Sequence, residues 1–262
     1  MYSRLLIRLV ACSIMFSGVA HVSQAVSPVP SSIGSVAPLR RAESSPSREG
    51  RRLYFEANKG QAEKQARFLA EGHGYRLAFT RQGAALEPVH PLSEVGTSPT
   101  PLRLRLLGAN PRPGMRGLWK SKDRAVVTQG AGNGLKNVPT FRKVLYEGVY
   151  PGINLVFYGN PAQLEYDFIL NPHADPDKIR LAFEGAERVE AEGDGDLLLT
   201  TPSGVFRQKR PVIYQVIGGE RREVSGGYLL ESGGEVRFRV GAYDPAHPLI
   251  IDPVLVYCPR PS

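Results

Sequence analysis

Residues 153–170 read Ile153-Asn154-Leu155-Val156-Phe157-Tyr158-Gly159-Asn160-Pro161-Ala162-Gln163-Leu164-Glu165-Tyr166-Asp167-Phe168-Ile169-Leu170, and this stretch decides the fold class. Side chains along a strand alternate between two faces. Leu164, Tyr166, Phe168 and Leu170 therefore share one face, while Glu165 and Asp167 share the other. The run 153–158 is rich in branched and aromatic residues, and Gly159-Asn160-Pro161-Ala162 carries turn chemistry. Together they predict an antiparallel hairpin with one face in a core.

The pattern continues in both directions. Residues 75–80 and 84–88 flank Arg81-Gln82-Gly83, a three-residue hairpin with glycine at the positive-φ position. Leu102, Leu104 and Leu106 alternate with Arg103 and Arg105, which gives one wet face. Further strands are expected at 179–183, 188–191, 197–201, 205–208, 212–217, 224–230, 236–240 and 249–257. The turns between them hold Gly193-Asp194-Gly195-Asp196, Pro202-Ser203-Gly204, Gly218-Gly219-Glu220 and Ser232-Gly233-Gly234. Ala62, Ala66 and Leu69 recur at helical spacing, so 58–71 is expected to hold the one helical stretch. The expected fold is all-β, an antiparallel two-sheet sandwich or a tandem or double sandwich with at most one or two short helices. It occupies 53–257, as one unit or as two subdomains split near 110–140, and 258–262 is read as a tail.

Composition agrees with a turn-rich folded protein. The chain of 262 residues holds 28 Gly and 22 Pro, too dense for long helices, and 42% hydrophobic residues, enough for a core. The net charge of +8 is unevenly placed. Arg4 and Arg8 sit in the first 25 residues with no acid, and five arginines against Glu43 and Glu49 sit in 40–52. The remaining 53–262 carries 26 basic against 23 acidic residues, interspersed as in Arg221-Arg222-Glu223, so a nucleic-acid partner is not expected.

The basic start, the apolar run from Leu9 to Ala20 and the small residues Ser23 and Ala25 predict a secretory signal peptide over 1–25, cleaved between Ala25 and Val26. The run is too short for a membrane span. Leu9-Val10-Ala11-Cys12 resembles a lipobox, but Arg8 immediately before it leaves almost no apolar segment upstream. Residues 26–52 hold seven Ser, four Pro, two Gly and no aromatic, and are read as a disordered Ser/Pro/Arg-rich leader. The expected location is periplasmic, cell-surface or extracellular. Cys12 leaves with the signal, so the mature chain keeps Cys258 alone and no internal disulfide forms.

Chemistry is sparse. Glu165 and Asp167 are the only candidate acids, about 7 Å apart along one strand face, a spacing that paired carboxylates could use. A solvated strand face is the simpler account, since nothing in the sequence signals a surrounding cleft. Glu192, Asp194 and Asp196 place oxygen donors at alternate positions, but no calcium-loop pattern surrounds them and a hairpin turn accounts for the string. His73, His90, His173 and His247 are scattered, so no zinc site is expected. Ser203 lacks a nucleophile elbow and Cys258 lies outside any protease motif. Trp119, Tyr146, Tyr150, Tyr158 and Tyr166 could stack on sugars or fill a core. No cofactor motif is present.

Six strings taken in order resemble one family. They are Phe55-Glu56-Ala57-Asn58-Lys59-Gly60-Gln61, Leu104-Arg105-Leu106-Leu107-Gly108-Ala109-Asn110, Asn137-Val138-Pro139-Thr140-Phe141, the run from Tyr150 to Gly159, Leu164-Glu165-Tyr166-Asp167-Phe168, and Ile250-Ile251-Asp252-Pro253-Val254. The likeness is to the N-terminal domain of exported bacterial proteins that carry seven-bladed β-propeller (SBBP) repeats. The resemblance implies a β-rich exported domain without assigned catalytic residues. Residues 125–130 lack the aromatic-rich segment of that family, and the sequence runs from Tyr257 into Cys258-Pro259-Arg260-Pro261-Ser262 where the family enters its first repeat. The reading is a non-enzymatic module, for surface interaction with a protein or polysaccharide or as a propeller platform. A glycan-binding or glycan-cleaving protein and a truncated remnant are the alternatives.

Overall fold

In the computed structural model, residues 52–89, 100–121, 125–127 and 135–259 are described. The expected signal peptide with Cys12, Ala25 and Val26, the leader before Arg52, His90 and residues 260–262 lie outside them. The order is β1 (Phe55–Ala57), β2 (Phe68–Gly72), β3 (Tyr75–Thr80), β4 (Gly83–Pro88), β5 (Leu102–Leu106), β6 (Gly114–Lys120) and β7 (Ala125–Val127). It continues with β8 (Leu135–Val138), β9 (Thr140–Tyr150), β10 (Ile153–Asn160), β11 (Gln163–Leu170), β12 (Arg180–Glu184), β13 (Arg188–Ala191) and β14 (Leu197–Thr201). The last seven are β15 (Gly204–Gln208), β16 (Val212–Ile217), β17 (Glu220–Val224), β18 (Gly226–Leu230), β19 (Val236–Val240), β20 (Leu249–Asp252) and β21 (Val254–Pro259). Among the described residues a single 3-10 turn, Pro176–Lys178, interrupts them, capped by the Asp175 side chain.

The helical expectation for 58–71 is corrected. Asn58 folds that segment into turns, its amide donating to the carbonyls of Ala62, Glu63 and Ala66, and β2 follows with alternating burial. Ala66, Phe68 and Ala70 are buried at period two, which a helix could not achieve. Most other expected strands occur within a residue or two of their expected bounds. The run 224–230 is divided between β17 and β18, and 249–257 is broken at Pro253 into β20 and β21, the latter continuing through Cys258. Both hairpin loops have two residues: Thr80 pairs with Gly83, and Asn160 with Gln163.

All ladders are antiparallel, and they join every strand except β7 and β8, which pair with each other, into one large, nearly barrel-shaped sheet. Two strands act as branch points. One edge of β9 carries β6, and the other carries β1 at residues 140–141 and β10 at 144–150. Likewise β11 has β10 on one edge, and β21 and β20 end to end on the other. Pro253 has no N–H to donate, so the strand breaks there, and its carbonyl accepts from the Tyr166 N–H at 3.2 Å.

The inward side chains form one hydrophobic cluster drawn from strands along the whole described chain. Its centre is a row of rings: Phe55 meets Phe79, Phe79 meets Phe157, Phe157 meets Tyr146 and Tyr166, and Tyr166 leads to Phe168 and Phe238, with centroids 5.1–6.0 Å apart. Two hydroxyls in this row are satisfied, Tyr146 donating to the Thr80 carbonyl at 2.8 Å and Tyr166 to Gln208 Oε1 at 2.9 Å, whereas the buried Tyr75 hydroxyl has no hydrogen-bond partner among the described residues. Among the described residues no helix is long and apolar enough to cross a membrane.

Candidate functional site

The core-facing side of β9, β10 and β11 is apolar, so the polar residues of those strands are forced onto the opposite face. There they meet across the ladders. Tyr158 lies directly opposite Glu165, and its hydroxyl reaches diagonally to donate to Asp167 Oδ1 at 2.8 Å. Lys143, from β9, places its ammonium 4.1 Å from the Tyr158 ring centre and 4.9 Å from that of Trp119 in β6. Cations over ring faces are held by the ring quadrupole. Beside them Arg221 of β17 stacks 3.7 Å from the Tyr214 ring of β16.

Electrostatics bind this face into one network. Burial lowers the Lys143 pKa, opposed by the carboxylates of Asp167, Glu165 and Asp252. Burial raises Glu165, with Asp167 adding to the rise and Lys143 opposing it. Asp167 is raised by burial and restrained by the Tyr158 hydroxyl, Lys143, Asp252 and Arg221. Burial and then the charges of Asp167 and Glu165 push Asp252 up to about 7. The Tyr158 hydroxyl is pushed far up by burial and by Asp167, so it remains a donor.

Above the network lies an open groove of about 350 Å³, near the lower end for ligand sites. Trp119, Arg142, Lys143, Tyr158, Asn160 and Glu165 line it, as does Arg52. Trp119 is 48% exposed, the most exposed of the large hydrophobics among the described residues. Its φ of 54° puts a bulky residue in the left-handed region, while the β6–β9 register continues across it from Leu118–Lys143 to Lys120–Phe141. Gly159, also at the groove, has φ +136° and a backbone so close to β11 that a Cβ would lie 2.3 Å from the Gln163 carbonyl oxygen.

The two candidate acids share a strand face as expected, yet only Glu165 lines the groove. Asp167 is engaged beneath it by Tyr158 and Asp252. The aromatic candidates also separate: Tyr146, Tyr150 and Tyr166 are core residues, while Trp119 and Tyr158 reach the groove. Lys143, Asp252 and Arg142 escaped the sequence reading. A lone acid after the apolar run Leu249-Ile250-Ile251 was the available signal for Asp252.

Glu192, Asp194 and Asp196 do converge, their oxygens within 4.8 Å of one another. Arg207 already sits among them, bonded to Glu192 and 3.3 Å from Asp196 Oδ2, and Lys209 stands 3.0 Å from the same oxygen. The Arg210 N–H donates to Asp196 Oδ1 at 2.7 Å. These contacts make the cluster an ion-pair clamp on the β13–β14 turn. Ser203 is buried, its carbonyl accepting from the Tyr257 hydroxyl.

A family described as Domain of unknown function (DUF7948) matches residues 55–254, most of the chain, and the chain belongs to that family. No curated protein matches it.

Proposed function

We propose that this member of the DUF7948 family is an exported, non-enzymatic interaction module whose groove binds a cell-surface polysaccharide. The observation that carries the reading is Trp119, an exposed indole in a strained backbone beside polar and charged side chains. Strain of that kind costs roughly 1–3 kcal/mol and tends to be kept where a side chain serves a ligand. An exposed aromatic face offers a surface for the C–H side of a sugar ring, and Asn160 and Glu165 offer partners for hydroxyls. Binding is favoured over cleavage because the second carboxylate does not reach the groove, whereas glycoside hydrolysis needs two flanking the bond. The likeness to domains that precede SBBP repeats supports export and a modular role. Within this reading the contact of Phe79 of β3 with Phe157 of β10 is packing between two layers of a sandwich.

The test is retention of the purified chain on insoluble polysaccharides, with reducing ends assayed in parallel. Retention that Trp119→Ala weakens at least ten-fold, without release of reducing ends, is expected. Hydrolysis abolished by Glu165→Ala would make the protein an enzyme, and no retention on any polysaccharide would remove the assignment.

A further inference from the structure

We infer that the polysaccharide is uncharged, with a sugar ring resting on Trp119 while two adjacent hydroxyls of the glycan bridge the Lys143 ammonium and the Glu165 carboxylate. This inference rests on the reading above. Both side chains line the groove, each partly buried, from the strands on either side of Tyr158. They attract one another through space, yet among the described residues neither side chain makes a hydrogen bond. Lys143 is held instead by the ring faces of Trp119 and Tyr158, which balance its charge without satisfying its N–H donors as a hydroxyl oxygen would. The groove thus sets a charged donor beside a charged acceptor. One hydroxyl oxygen accepts from the ammonium and the next hydroxyl donates to the carboxylate, so a vicinal diol satisfies both with charge-assisted bonds.

Charge balance argues against an acidic ligand. Arg142 is engaged by another group of the chain, and Lys143 faces Glu165, Asp167 and Asp252. Arg52 adds one guanidinium, which salt screens. A polyanion would meet the Glu165 carboxylate with a like charge, which a hydroxyl avoids. Shape favours a chain over a single sugar. Trp119, Lys143, Tyr158 and Glu165 come from β6, β9, β10 and β11, which are successive neighbours in the sheet. Three interstrand steps span roughly 14 Å, the reach of an extended oligomer laid across the strands.

Trp119 is the only tryptophan, so its fluorescence reports on the groove directly. The full chain is titrated with dextran, galactomannan and xyloglucan, with the same polymers O-methylated, which keeps the rings and removes the hydroxyl donors, and with polygalacturonate. At least one neutral polymer is expected to shift the emission at a concentration ten-fold or more below that of its methylated form and of polygalacturonate, at low and high salt alike. Glu165→Ala should bind that polymer at least ten-fold more weakly, and Glu165→Gln, which keeps an acceptor, should lose less. Equal response to intact and methylated polymers, or unchanged binding by Glu165→Ala, overturns the hydroxyl assignment and leaves the polysaccharide reading in place. Polygalacturonate acting at or below the concentration of every neutral polymer overturns the uncharged assignment and likewise leaves that reading. No response to any glycan overturns both.

Discussion

Asp252 and Asp167 face one another across β20 and β11, one step beyond the Phe168–Ile251 pair, and the Asp252 carboxyl shares a hydrogen bond with Asp167. Two buried carboxyls in contact cannot both ionise cheaply, so one keeps its proton. The proton is assigned to Asp252, which burial and the charges of Asp167 and Glu165 push up to about 7 from 3.8, whereas Asp167 receives the Tyr158 hydroxyl. Asp252 Oδ1 is buried and receives no donor, as suits a neutral acid.

A pH dependence with a definite sign follows. The folded chain holds a proton that the unfolded chain releases, so the stability from this pair is fully present below about pH 4 and is lost as pH rises through about 7. Asp252→Asn is expected to flatten that fall and to exceed the wild type above about pH 8 by on the order of 1–3 kcal/mol. Urea midpoints measured across that range decide it. An unchanged slope in the variant would contradict the shared proton.

Lys143 compensates Glu165, Asp167 and Asp252 from above. Lys143→Met is expected to cost about 2–4 kcal/mol, because it leaves partly buried carboxylates without their cation. The loss should be larger at alkaline than at acid pH, since protonating the carboxylates relieves the repulsion. A pH-independent loss would mean that Lys143 contributes only its methylene packing.

Gly83 lies in β4 at φ +139°, where a Cβ would fall 1.9 Å from the Leu104 carbonyl oxygen of β5. Neither backbone can yield without opening that ladder. Gly83→Ala should therefore cost about 3 kcal/mol, at the upper end of ordinary single substitutions. A thermal midpoint within a degree or two of wild type would show that the strands can separate locally.

Arg207 occupies the place a cation would take among Glu192, Asp194 and Asp196. The wild type should thus show the same melting temperature in calcium and in chelator. Arg207→Gln should lose about 1–3 kcal/mol and gain a calcium-dependent rise in melting temperature, because three converging carboxylates then lack their guanidinium. A calcium response already present in the wild type would make the clamp a metal site.

Phe157 touches Phe79, Tyr146 and Tyr166 and is wholly buried. Phe157→Ala is expected to remove about 3–5 kcal/mol through lost burial and the cavity left behind. Chemical denaturation measures it directly, and a loss below about 1 kcal/mol would mean that the ring row collapses around the gap.

Legibility differed between elements. Leu164, Tyr166, Phe168 and Leu170 all point inward as their alternation requires. The 58–71 segment misled because Ala62, Ala66 and Leu69 also fit a helical period, and the Asn58 amide, which wins the competition for the local carbonyls, leaves no periodic trace. The division at Pro253 was legible in principle, since proline removes a ladder donor. Glu165 was visible as a candidate, but its partners were not: Lys143 lies 22 residues and Trp119 46 residues before it.

The all-β class, the inward and outward residues of β11 and the glycine turns were determined by the sequence alone. Each depends on neighbours a few residues away, through side-chain alternation and the φ values that glycine permits. Which strands beyond the local hairpins lie side by side was decided only in the tertiary structure, by register between distant segments. That register brings Asp252 against the Asp167 carboxylate and gathers Trp119, Arg142 and Lys143 around one groove. Local periodicity states that a side chain faces outward; the sheet determines what it faces.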